Sequence, residues 1–120
     1  MRWQICILVL VASLFVTGCE KYEATDALIE NLNTGEGGDR IAAVRQLPLR
    51  KQDAEKIVPA LIESLKDKNA GVRWNAAIGL GQFGSEANAA IPALQAAQRD
   101  KDARVREGAK VAISRIEGNK

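Results

Sequence analysis

The chain has 120 residues, a formal charge of +2 and no histidine. That length fits a single domain. The near-neutral balance offers no clustered basic face for nucleic acid, and the missing histidine removes the commonest metal ligand and general base. Aromatic residues are 4% of the chain, too few for a base-stacking platform, while abundant alanine favours helices over strands.

Met1-Arg2 gives a minimal positive start, and the residues from Trp3 to Gly18 carry no charge. That stretch of 16 residues falls short of the ~20 needed by a spanning helix. Its basic end, apolar centre and small-residue finish have the shape of an export signal. Val16-Thr17-Gly18-Cys19 resembles the lipobox of bacterial lipoproteins, where the thiol receives a diacylglycerol and the peptidase cuts just before the cysteine. The resemblance implies a signal peptide over 1–18, a lipidated Cys19 with a tether over 19–23, and attachment to a membrane of the cell envelope. Glu20 stands where some lipoproteins carry the Asp that retains them in an inner membrane. The expected location is therefore the periplasmic side of the outer membrane, with the inner membrane as the alternative. Cys6, the other cysteine of the two, would leave with the signal. The remaining domain then has no disulfide framework, no thiolate metal site and no thiol nucleophile.

From residue 24 onward the sequence repeats without a gap at a period of 33. Leu28, Leu61 and Leu94 share a column, as do Arg40, Arg73 and Arg106, and Ala43, Ala76 and Ala109. A fixed period of this size with apolar positions in frame predicts stacked units, here about 25–52, 58–85 and 91–118. The opening unit is loose, with Gly35-Glu36-Gly37-Gly38 at its turn and Pro48 ending its second helix. In the middle unit Val58, Leu61, Ile62 and Leu65 follow helical spacing, and Val72, Ala76, Leu80 and Phe83 mark a second helix. Asn69 and Asp102 occupy the N-cap column, and Pro59 and Pro92 fall early in their first helices. The last unit repeats the pattern with Ile91 and Leu94, then Val105, Ala109, Ile113 and Ile116.

VPALIESLKDKNAGVRWNAAIGLGQFG resembles a HEAT repeat of the short kind found in phycobilisome-lyase-like proteins: a Pro-Ala-Leu helix, an Asp-containing turn, Val-Arg opening the second helix, then Ala-Ala and Leu-Gly. IPALQAAQRDKDARVREGAKVAISRI is a second copy. Residues 25–52 form a degenerate third copy, with Asp39 in the Val72 column and Thr34 in the Asp67 column. The resemblance implies an all-α fold, a short right-handed α-solenoid of about three helical hairpins, with second helices on the concave side. It also implies that the Arg40, Arg73 and Arg106 column forms a structural ladder, pairing with the turn aspartates Asp67 and Asp100 and with neighbouring turns. Proteins of this kind mostly bind proteins, and some help attach bilins.

Other motifs carry less. Gly79-Leu80-Gly81-Gln82-Phe83-Gly84 matches a dinucleotide fingerprint but closes a helix, where such a loop must follow a strand and open one. Asp100-Lys101-Asp102 has too few oxygen ligands, too closely spaced, for calcium. The second helices depart from the family pattern at two columns that are usually charged and read here Ile41/Arg45, Trp74/Ile78 and Glu107/Val111. Ile41, Trp74, Ile78 and Val111 are therefore either an apolar partner-binding patch or, in the case of Trp74, extra core between units. The expected molecule is a non-enzymatic scaffold with an unidentified protein partner. It needs no cofactor, metal, nucleic acid or small-molecule substrate, and touches the membrane through Cys19. The alternative is a bilin-lyase-like maturation or assembly helper.

Overall fold

A computed structural model describes residues 25–118. The apolar leader, Cys19 and the tether to Glu23 lie outside the described residues. The described chain is helical throughout, without a strand. Helix α1 covers 25–34, α2 Gly37–Gln46, α3 Ala54–Ser64, α4 Ala70–Phe83, α5 Ile91–Ala97 and α6 Ala103–Gly118. Short 3₁₀ turns fill Leu47–Leu49, Lys51–Asp53 and Gly84–Ala90. The helices alternate as hairpins, and α2, α4 and α6 lie side by side as one row of second helices. The architecture is a short α-solenoid.

Local chemistry sets the helix ends. Asn69 is extended (φ −89°, ψ 119°), and its Oδ1 accepts from the backbone N–H groups of Gly71 at 2.8 Å and Val72 at 3.4 Å. Two of the four orphan donors at the start of α4 are thereby satisfied. Asp102 plays the same part for α6, accepting from the Arg104 N–H at 2.9 Å. Helix α4 stops at Gly84, whose φ of 57° suits a residue without a Cβ. The Gly79–Gly84 stretch thus ends a helix, as the sequence context requires.

One helix outruns the repeat frame. Helix α3 begins at Ala54, four residues ahead of the unit that starts near 58, so Pro59 lies in its interior. The early turn is held by fully buried Ile57, and the Thr25 hydroxyl ties it to α1 by donating to Asp53 at 2.7 Å. Pro92 does sit at the start of α5.

The core runs continuously through the hairpins. Leu47, Ile57, Leu61, Leu80, Leu94 and Ile116 are all fully buried, each such side chain contributing roughly 1.5–3 kcal/mol. Helix α4 is buried around most of its circumference because α2, α3 and α6 all pack on it. Small residues set the close approach. A Cβ on Gly81 would lie 3.0 Å from the Ala112 Cα, and one on Gly79 would lie 2.7 Å from Pro48 Cγ. Where α4 presents Trp74, Ala77 and Gly81, the outer columns of α6 read Glu107, Lys110 and Ser114, all exposed. This polar end suits a terminal unit.

Candidate functional site

At the turns, arginines reach from one unit into the next. Arg40 Nε donates to Asp67 Oδ2 at 2.9 Å and its Nη2 to Oδ1 at 3.4 Å. Arg73 repeats this on Asp100, at 2.8 and 3.0 Å. The third nitrogen anchors the guanidinium to carbonyls of its own turn: Gly35 at 2.6 Å for Arg40, and Asp67 at 2.8 Å with Lys68 at 3.2 Å for Arg73. Each aspartate also accepts a backbone N–H from its own turn, from Asn69 and Asp102 respectively, at 2.8 Å. One carboxylate thereby shapes its own turn and clamps the preceding second helix.

The sequence places Asp67, Arg73, Asp100 and Arg106 in one ladder. The structure makes the pairing one between units: Asp67 belongs to Arg40 and Asp100 to Arg73. Among the described residues Arg106 donates only to the carbonyls of Asp100 at 2.8 Å and Lys101 at 3.1 Å. Arg73 and Asp100 keep only 6% and 11% of their side chains exposed. Their mutual hydrogen bond holds the Asp100 carboxyl below its ordinary range, against burial, and raises the Arg73 guanidinium. Charges buried this deeply need such bidentate geometry to offset desolvation. No buried side-chain nitrogen or oxygen among the described residues lacks a partner.

The outer face of the second-helix row is chemically different. On α4, Gly71, Trp74, Asn75, Ile78 and Gln82 form the one stripe that the core does not cover. Trp74 remains 38% exposed, while Ile41, Ile78 and Val111 are half-buried. The Trp74 indole bridges to α6: a Cβ on Gly108 would lie 3.1 Å from Trp74 Cδ1 and 3.5 Å from Nε1. Ile41 does the same one step earlier, its Cδ1 lying 3.2 Å from a Cβ on Gly71. Each apolar side chain thus rests on a glycine of the next second helix and keeps its far side open. Trp74 is both inter-unit packing and surface. The glycine seats are legible in the sequence only as small residues in columns that read Asn75 or Gly38 one unit earlier, which is no signal by itself.

Beside Ile78 lies a depression of about 140 Å³ lined by Val44, Arg45, Pro48, Asn75, Gly79 and Gln82, below the roughly 300–1,000 Å³ of small-molecule pockets. Among the described residues there is no group of three or more His, Cys, Asp or Glu placed to hold a metal. None of their helices is long and apolar enough to cross a membrane.

The family of HEAT repeats matches residues 25–114. Comparison with curated proteins finds no match. HEAT repeats commonly mediate protein–protein contact and generally act as non-catalytic scaffolds. The hairpins stack at the sequence period and are joined at their turns by arginine–aspartate clamps, and the chain belongs to the HEAT-repeat family.

Proposed function

We propose that the protein is a lipid-anchored scaffold that captures a protein partner on the outer face of its second helices, the concave face in solenoids of this kind. Trp74 and Ile78 form the centre of the contact, with Ile41 and Val111 on either side. The observation that carries this is the Trp74 indole, seated on Gly108 yet 38% exposed. A rigid aromatic already held by one side loses little entropy on binding, and tryptophan is the residue most enriched at binding hot spots.

The anchor rests on the sequence Val16-Thr17-Gly18-Cys19. Acyl chains on Cys19 would contribute about 0.8 kcal/mol per buried methylene. The tether Glu20 to Glu23 reaches only about 13–14 Å at roughly 3.3–3.6 Å per residue. The solenoid then stands close to the envelope membrane, on its periplasmic side, and meets partners that are themselves membrane-associated.

A photo-reactive residue in place of Ile78, in the full chain in its own membrane, tests the surface. It should join one protein, and the same group at Gln95, exposed on α5, should not. With that protein in hand, Trp74→Ala should weaken binding roughly 30-fold or more, from the 2 kcal/mol typical of a truncated hot spot. Capture from Gln95 alone, or unchanged affinity in Trp74→Ala, would place recognition elsewhere.

A further inference from the structure

Arg106 has the geometry of Arg73, with one edge of its guanidinium unused among the described residues. In both, Nη1 is fixed by two carbonyls of the preceding turn, Asp67 and Lys68 at 2.8 and 3.2 Å in one case, Asp100 and Lys101 at 2.8 and 3.1 Å in the other. Those bonds set the plane of the fork. In Arg73 the remaining edge, Nε and Nη2, grips Asp100, and in Arg40 it grips Asp67. In Arg106 this edge has no acceptor among the described residues. The acids nearby in sequence are engaged: Asp100 by Arg73, Asp102 by Arg104 at 3.2 Å, and Glu107 by Lys110 at 3.6 Å.

We infer that the Nε/Nη2 edge of Arg106 is a docking point for a carboxylate of a partner protein, an Asp or Glu presented at a chain turn as Asp67 and Asp100 are. This site lies at the turns, apart from the Trp74 face, and does not rest on it. Arg99 and Lys101 are exposed next to it in the sequence, so the local field favours a carboxylate. Another tightly stacked unit is a poor occupant. The α4–α6 contact depends on Ala77 and on Gly81 beside Ala112, whereas α6 offers Lys110 and Ser114 in those columns. A second copy docked head to tail is poorer still, because it would bring uncharged Thr34 to the aspartate column.

Arg106 is pre-set for the carboxylate, whereas Arg45 and Arg115 are exposed and have no ion pair among the described residues. A pre-organised fork binds at lower concentration than a mobile one. The test labels the full chain at arginine Nε and follows those resonances by NMR during titration with a cyclised peptide copying residues 64–72. Parallel titrations use the Asp67→Asn peptide and inorganic phosphate. The Arg106 peak, assigned by its loss in Arg106→Lys, should saturate at a concentration roughly 10-fold below that which moves Arg45 and Arg115. The Asn peptide should leave it in place. Movement of all three arginines together, or an equal response to the Asn peptide, overturns the inference. Tighter saturation by phosphate than by the peptide makes the site a phosphate reader and also overturns it. So does an Arg106 shift that follows protein concentration alone, since the occupant would then be a second copy.

Discussion

Truncating Trp74 to alanine should affect folding and binding by separate, calculable amounts. A fully buried Trp→Ala change costs about 3–5 kcal/mol. Trp74 is 38% exposed, so roughly three-fifths of that, about 2–3 kcal/mol, is the expected loss as the indole leaves Gly108 uncovered. For a domain of this size 1 kcal/mol moves the melting temperature by about 4–8 °C, which puts the variant roughly 10–20 °C below the wild type. A typical domain has about 5–15 kcal/mol in hand, so Trp74→Ala should still be folded at 20 °C. Leu80→Ala is the matched control. Leu80 is fully buried and far from the open face, and its loss costs about 2–5 kcal/mol. Calorimetric melting of both variants, followed by partner binding at 20 °C, separates the effects. Leu80→Ala should melt as low or lower and bind normally, while Trp74→Ala should bind about 30-fold more weakly. A Trp74→Ala chain melting within about 2 °C of wild type, half the smallest shift expected per kcal/mol, would show that the indole does not pack on α6. Equal binding by the two variants would show that it does not meet the partner.

Acid should weaken the unit-to-unit clamp. Asp100 is held below its ordinary range chiefly by its hydrogen bond with Arg73, so its contribution is present above the unfolded value of about 3.9 and is lost as pH falls through the folded value. The urea midpoint of the wild type should therefore exceed that of Asp100→Asn by most at pH 7, with the gap closing in acid; a gap independent of pH would refute the linkage. Two glycines should respond with opposite sign. Gly38→Ala, with nothing within 4 Å of the added methyl, should stabilise α2 by about 0.5–1 kcal/mol, whereas Gly79→Ala forces a methyl to 2.7 Å from Pro48 Cγ. There an overpacking cost of about 1–3 kcal/mol outweighs a helix gain near 1 kcal/mol, and a higher melting point in Gly79→Ala would contradict that close contact. Finally, Cys19→Ser should leave an uncleaved precursor without lipid, and intact-mass measurement of a mature wild-type chain beginning anywhere but residue 19 would refute the lipobox assignment.

What the sequence determined by itself is the periodic part of the molecule. The 33-residue frame and the three- and four-residue spacing within it place Val72, Ala76 and Leu80 on one face of α4, and all are fully buried. Helical geometry alone puts them on that common face. Asn69 and Asp102 also declare themselves, because an N-cap acts on the N–H groups two or three residues ahead. Tertiary structure decided whatever depends on how one unit sits against the next. Arg73 lies six residues beyond Asp67 yet clamps Asp100, since the stacking offset brings the following turn within reach of its fork. Helix α3 starts ahead of Pro59 with Ile57 fully buried, a burial that the 58–85 unit taken alone does not include. Trp74 looks like a solvent-facing column when α4 is considered alone, and becomes half core only because α6 sets a glycine beneath it. Period and spacing are properties of one helix; contact across a groove depends on the offset and separation of two, which no single segment encodes.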